Sequence, residues 1–407
     1  MRLGILSILA GCVALGGCAS VDALMQEDGF GNDVAFLKKH CDVVVLSDST
    51  GQGQVAVIPE MQGRVMTSTA GGEKGQSFGW INRAHIASGE IVPHINVFGG
   101  EDRFWIGPEG GQFSIFFEKG TPFDLEHWQT PPAIDSEPFE LTSSSKQSAV
   151  FQKTMQLTNY SGTVFDVKVD REIRVLERDQ ARAALGVRVK PSVQMVAFES
   201  NNKMTNAGSK AWKRESGLLS IWILGMFNPS PQTTVVIPFH MGPEAELGAV
   251  VNDAYFGKVP AERLVVKDGV IFFSGDGQYR SKIGLSPQRA KDVCGSYDAA
   301  NQVLTIVQYN KPRGVSDYVN SMWELQEQPY RGDTINSYND GPPEPGAKPL
   351  GPFYELETSS PAAALDAGES ILHTQRTFHL TGSEAELSPI AQAILGVSLD
   401  EITTALK

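Results

Sequence analysis

From Phe165 to Val175 the chain alternates with a period of two. Phe165, Val167, Val169, Ile173 and Val175 fall on one face; Asp166, Lys168, Asp170, Glu172 and Arg174 fall on the other. Such a run fits a long strand buried on one side, and not a helix, whose apolar residues return every three or four positions. Arg171 alone breaks the apolar face, which marks it as a candidate cleft or strand-end residue. Strand signals recur elsewhere. Val43–Leu46 is apolar, Gln54–Ile58 partly alternates, and Val303–Tyr309 is entered through Asp298-Ala-Ala-Asn301. Leu264–Val266 and Val270–Phe273 flank Asp268-Gly269, a hairpin signal. The turns draw on an excess of breakers, 41 Gly and 23 Pro in 407 residues. No repeat, long amphipathic helix or clean linker divides the chain, so it reads as all-β: one large sandwich of mostly antiparallel strands.

Helix signals are confined to the ends. Asn32 is placed to cap a short helix over Asp33–His40. Ser383 with Glu386, and Ser398 with Glu401, have capping-box spacing and predict two short helices over residues 383–407, lying against a sheet edge. The sandwich then occupies residues 32–382.

Charge narrows the functional classes. Lys and Arg number 34 against 47 Asp and Glu, a net charge of −13. An acidic chain repels phosphate, which excludes a general nucleic-acid binder.

The first residues read as an address. Arg2 precedes an apolar run from Leu3 to Leu15, too short to span a bilayer and suited to a secretory signal. The run closes on Leu15-Gly16-Gly17-Cys18, which resembles the lipobox of bacterial lipoproteins. That resemblance implies a signal peptide over 1–17, lipidation of Cys18, a tether over 18–31, and membrane attachment without spanning. Ala19-Ser20 resembles the outer-membrane-sorted class, facing the periplasm. Cys12 leaves with the signal; Cys41 and Cys294 remain, as one disulfide or two isolated thiols.

P-loops, dinucleotide fingerprints, nucleophile elbows and metal motifs are missing from the sequence. No ordered spacing supports a Ca²⁺ site among Asp333, Asp340 and Glu324. The chain carries instead loops dense in polar and aromatic residues. The first holds His94, Asn96, Glu101, Arg103, Trp105 and Glu109 among five glycines up to Gly111. Asp124, Glu126, His127 and Trp128 follow; a later stretch brings Trp323, Glu324, Asp333, Asn336, Tyr338, Asn339 and Asp340. A pyranose stacks its C–H faces on Trp or Tyr and needs planar, often bidentate partners for its hydroxyls. These loops supply both.

A family resemblance runs through the same segments. Gln62-Gly63-Arg64-Val65, after Pro59-Glu60, resembles the opening motif of aldose 1-epimerases, the galactose-mutarotase-like proteins. Phe98-Gly-Gly-Glu101 through Trp105, Thr205-Asn206-Ala207-Gly208 with Trp212, Tyr354-Glu355-Leu356-Glu357-Thr358, and Ala367-Gly368-Glu369-Ser370 resemble later family segments in the same order. The resemblance implies a β-supersandwich that binds carbohydrate in a cleft on one sheet. It implies Glu357 as general base, with Arg64, Arg103, Asn206 and His240 as polar contacts and Trp105 as a stacking platform. The family's acid His follows the T-N pair; Ala207 stands there, leaving His94, His240 or His85 as its replacement. Arg280 and Lys282, after Asp276-Gly277, are read as a solvated hairpin end, with cleft lining as the alternative, and His373 and His379 as structural.

The expectation is a lipid-anchored carbohydrate-binding protein, acting as a mutarotase or epimerase on periplasmic glycan products. A non-catalytic glycan-binding or structural envelope lipoprotein is the alternative. A lyase or hydrolase is also open, because Glu355 and Glu357 share one face of a strand. A sugar or glycan and the membrane are the expected partners, the protein acts as a monomer, and no cofactor is called for.

Overall fold

The computed structural model describes residues 29–344 and 346–407. The expected signal peptide, Cys18 and most of the tether lie outside the described residues. Eighteen strands are formed among those described: β1 (Val44–Ser47), β2 (Gln54–Ile58), β3 (Arg64–Thr69), β4 (Arg103–Gly107), β5 (Glu140–Ser144), β6 (Ser148–Thr158), β7 (Val164–Val175), β8 (Gln194–Asn206), β9 (Ser220–Phe227), β10 (Thr233–Pro238), β11 (Leu264–Lys267), β12 (Val270–Ser274), β13 (Ser281–Leu285), β14 (Val293–Asp298), β15 (Val303–Tyr309), β16 (Ile335–Asn339), β17 (Tyr354–Ser359) and β18 (Ser370–Thr381). The helices are short: α1 (Phe30–Leu37), α2 (Arg83–Ser88), α3 (Pro132–Asp135), α4 (Arg178–Leu185), α5 (Glu244–Leu247), α6 (Glu384–Leu395) and α7 (Leu399–Thr404).

The strands form a ten-stranded sheet in the order β11-β12-β10-β14-β15-β18-β8-β7-β6-β5, a five-stranded sheet β13-β16-β17-β9-β4, and a small sheet β1-β2-β3. Pairing of the named strands is antiparallel throughout, from β7 on β8 in the large sheet to β17 on β9 in the smaller. The alternating run is β7, paired along its length with β6 and buried at every second residue. Asp268 and Gly269 turn the β11–β12 hairpin with φ of 50° and 81°, the left-handed pair that a tight turn between twisted strands requires.

Between the large and five-stranded sheets lies the apolar core, with Phe104, Ile106, Phe151, Val169 and Phe198 in one part and Ile237, Phe273, Ile283 and Leu356 in another. Most polar side chains inside it find partners, because an unpartnered polar group there costs more than a hydrogen bond returns; Thr377 Oγ1 and His373 Nδ1 are exceptions. Arg171 is neither a cleft nor a strand-end residue: it is fully buried in this layer and ion-paired with Asp102 at 2.6 Å. His379 bonds Glu101 (2.8 Å) and Thr305; His373 bonds Thr358 (2.8 Å), and burial pushes its pKa down to about 3.

Two expectations are corrected and one that was left open is decided. Helix α1 starts at Phe30 under Gly29, not after Asn32, because Phe30, Val34 and Leu37 form the stripe that docks it. Helices α6 and α7 do form both capping boxes, but they cover the outer face of the large sheet instead of its edge. Val236, Tyr297, Leu304, Ile306 and Phe378 make that face apolar, and Leu387, Ile390, Leu395 and Ile402 bury it, with α4 beside them. Cys41 and Cys294 are separate free thiols, raised by burial to about 11 and about 12.

The two outermost strands of the large sheet are short. All five residues of β5 are exposed, and its register shifts between Leu141 and Ser143, a bulge.

Candidate functional site

The alternation that fills the core also loads the opposite face of the five-stranded sheet. On β17, Tyr354 and Leu356 point into the core, so Glu355 and Glu357 point out. On β9, Ile221, Ile223 and Phe227 go in and Trp222, Leu224 and Met226 go out; on β4, Phe104 and Ile106 go in and Arg103 and Trp105 go out. Register aligns these residues in rows. Lys282, Tyr338, Glu355 and Met226 lie side by side, and Glu357, Leu224 and Arg103 form the next row.

Two ion pairs run between the rows. Arg103 Nη2 donates to Glu355 Oε1 at 3.1 Å, and Lys282 Nζ donates to Glu357 Oε2 at 3.2 Å. Each pair spans one intervening strand, Arg103 reaching from β4 across β9 and Lys282 from β13 across β16, two strand spacings or ~9–10 Å, which only long side chains bridge. Trp222 Nε1 donates to the same Glu357 oxygen at 2.9 Å. The Arg103 guanidinium lies 4.2 Å from the Trp105 ring centroid, and Lys282 Nζ lies 4.8 Å from that of Trp222.

Above this floor opens a cleft of about 550 Å³, within the size range of small-ligand sites. One wall is tryptophan: Trp105 meets Trp222 edge-on at 5.5 Å, and Trp128 stacks on Trp323 at 5.8 Å. Across from it stand Phe256, Tyr338 and Phe353, with the Arg280 guanidinium 3.8 Å from the Phe256 ring centroid. Tyr338 OH donates to Asp340 at 2.9 Å, and Gly351 N–H donates to the same carboxylate at 2.8 Å. His94 and Glu109 also line the cleft. His94 Nδ1 lies 2.7 Å from the Trp128 carbonyl, where it donates in the tautomer that carries a proton there.

Burial governs the electrostatics. It pushes the Glu355 carboxyl up to about 8; Arg103 opposes the shift and Glu357 adds to it. Burial also raises Glu109 and Asp340. Burial works against the charge on Lys282, but Glu357, Glu109 and Glu355 outweigh it and hold that pKa above its ordinary value. The floor thus places a carboxyl that titrates near neutrality beside fixed cations, an arrangement able to exchange a proton with a bound ligand.

The cleft gathers His94, Arg103, Trp105, Glu109, Tyr338 and Asp340 of the expected residues. Glu357 lies beneath it, 0% exposed, held by Trp222 and Lys282. The others stand elsewhere, each already engaged in building the fold. Arg64 is buried with its guanidinium on Gly99 O and Gln62; burial, helped by Arg103, lowers it to about 9. Asn96 bonds Asp135 and Val92, and its side chain meets His85. Glu101 binds Ser68 and His379. Asn206 closes the turn after β8, donating to the Lys210 and Leu365 carbonyls, and Ala207 sits in that turn. Asn339, adjacent to Tyr338 on β16, bonds Asp276 and the Tyr279 carbonyl. His240 is exposed beyond β10, where its backbone N–H donates to Arg289 O. Arg280 and Lys282 are the reverse case: both line the cleft instead of a solvated hairpin end.

Sequence reasoning passed over Trp222, Phe256 and Phe353. Strand β9 is apolar on both faces, so alternation gives no sign of which face opens. Phe256 and Phe353 lie in loops without periodicity. Among the described residues, no group of three or more His, Cys, Asp or Glu side chains is arranged to hold a metal. A second cavity of about 680 Å³ lies by Arg214, Asn252, Tyr330 and Asp333. Its walls are mostly loops, and it carries neither the aromatic surface nor the buried ion pairs of the cleft.

No curated protein matches this sequence. Among solved structures the chain resembles a putative aldose 1-epimerase from Escherichia coli K12, with 13% identity over 84% of this chain and 99% of that one and a TM-score of 0.49. It also resembles a galactose mutarotase-like protein from Lactobacillus casei, with 10% identity over 83% and 100% and a TM-score of 0.46. A galactose mutarotase related enzyme from Lactobacillus acidophilus gives 9% identity over 84% and 98%, with a TM-score of 0.42. These neighbours are of the kind that the ordered motifs implied, and the likeness assigns no residue a role. Residues 28–406 match a family of unknown function (DUF6786), and the chain belongs to that family.

Proposed function

We propose that this protein binds a carbohydrate in the tryptophan-walled cleft and interconverts its anomers, as an aldose 1-epimerase-type isomerase. The observation that carries this reading is the Arg103–Glu355 pair at the floor of an aromatic cleft. Trp323, the partly exposed member of the tryptophan wall, and the exposed Phe256 offer faces for the C–H surface of a pyranose, with the buried Trp105 and Trp128 packed behind them. Glu355, as carboxylate, takes the proton of the anomeric hydroxyl; the bond from C1 to the ring oxygen opens, and Lys282 donates a hydrogen bond to that oxygen as negative charge develops. Reclosure on the other face of the aldehyde returns the proton. Glu357 is then a positioning residue: it fixes Lys282 and Trp222 and does not meet the sugar. The cleft would be held at the bacterial envelope, on its periplasmic side, by lipid on Cys18.

The test is anomer interconversion followed by NMR or polarimetry across a panel of aldoses. The wild type is expected to accelerate at least one of them, and Glu355→Gln to lower that rate by about 100-fold or more, the usual range for a lost proton-transfer group. Sugar binding with no acceleration by the wild type overturns the catalytic step. It would favour a second reading, non-catalytic glycan capture, which Ala207 in the place of the family's acid His supports.

A further inference from the structure

The polar groups of the cleft are unevenly satisfied. Its carboxylates mostly have partners: Glu355 has Arg103, Asp340 has Tyr338 and the Gly351 N–H, and Glu357 beneath has Trp222 and Lys282 on Oε2, with Oε1 alone left unpartnered. The donors are in surplus. Arg103 is 2% exposed, yet its Nε and Nη1 have no acceptor among the described residues, and neither do the indole N–H groups of Trp105 and Trp128. Arg280, half-buried and stacked on Phe256, makes no ion pair and no side-chain hydrogen bond among the described residues. Lys348 adds a further cation at the rim.

A sugar hydroxyl donates as well as accepts and would take up this surplus only in part. A group that only accepts answers it fully. Two such groups are common on sugars, carboxylate and phosphate. The guanidinium of Arg280, centred 3.8 Å over the Phe256 ring, is a planar fork suited to a planar two-oxygen partner. The net charge of −13 and the acids Glu109, Glu126 and Asp340 around the cleft weigh more heavily against a dianion than against a monoanion.

We propose that the sugar taken by this cleft is a uronic acid, with its carboxylate on Arg280 and its anomeric end over Glu355. The proposal rests on the carbohydrate reading and names the substrate class of the same site.

Calorimetric titration tests it with D-galacturonate and D-glucuronate against galactose, glucose and glucose 6-phosphate. A uronate is expected to bind at least 10-fold tighter than its neutral parent, and 0.5 M NaCl to shrink that ratio. In Arg280→Gln the ratio falls to near one, and Arg280→Lys restores part of it. Neutral sugars binding as tightly as uronates, or a ratio unchanged in Arg280→Gln, overturns the proposal and leaves the carbohydrate reading standing. Tighter binding of glucose 6-phosphate overturns the choice of carboxylate. Binding of none of these sugars overturns both readings.

Discussion

Asp102 and Arg103 are neighbours in sequence, and each takes part in a buried arginine–carboxylate pair on opposite sides of the same sheet. On the core side, every nitrogen of Arg171 is used: Nε on Gly63 O, Nη1 on Asn202, Nη2 on the carbonyl and carboxylate of Asp102. The second Asp102 oxygen accepts from Ser200 at 2.8 Å. On the cleft side, Arg103 makes one bond to Glu355 and keeps two nitrogens without an acceptor. A saturated pair has nothing left to offer a ligand and acts as a cross-brace between sheets. An unsaturated pair is a poorer brace and a better binding surface. Burial and charge are alike in the two; the count of unmade hydrogen bonds separates structure from site.

The contrast is most exposed to failure in stability. Arg171→Met leaves Asp102 buried and unpaired, and is expected to cost about 3–5 kcal/mol in chemical denaturation. Arg103→Met is expected to cost less than half as much, because Glu355 can discharge by binding a proton. Equal losses would remove the distinction.

The second effect is in pH. The folded-state pKa of Glu355 is raised from an ordinary 4.5 to about 8. Between these values the folded chain holds a proton that the unfolded chain has released. Its contribution to stability is therefore fully present below about pH 4.5 and is lost as pH rises through about 8. Urea titrations across that window should show wild-type stability falling, with a flatter dependence for Glu355→Gln. Identical slopes would place the carboxyl in ordinary surroundings.

The smallest effects compare two tryptophans. Trp222→Phe removes a bond to a carboxylate and should cost about 1.5–3 kcal/mol. Trp128→Phe removes an indole N–H that has no acceptor, so it loses only ring packing and should cost less than Trp222→Phe. A large loss at Trp128 would reveal a bond that the cleft picture lacks.

Local chemistry was the legible part of this chain. The alternation of β7, the Asp268-Gly269 turn and the two capping boxes are written in residues close together, and the structure has them where they were expected. The shared face of Glu355 and Glu357 follows from their spacing alone. What could not be read is what those faces meet. Glu355 finds its partner 252 residues away and Glu357 finds Lys282 75 residues away, so Lys282 looked like a solvated lysine. Arg171 looked like a defect in a hydrophobic face because Asp102 belongs to another sheet. Asn96, Asn206 and Asn339 have the residue type that a sugar needs, but the same amides close turns, and sequence does not distinguish the two uses.

The ends of the ten-stranded sheet bear on how the protein behaves among copies of itself. An open sheet has two rows of unpaired backbone groups, each a template on which another chain can add. Here one row ends in β5, short, wholly exposed, carrying Glu140 and two serines with Ser145 and Lys146 just beyond, and kinked by its bulge; the other ends in β11, four residues closing on Lys267. Neither edge is long or flat enough to nucleate growth, so the large sheet is guarded against edge-to-edge addition of further copies.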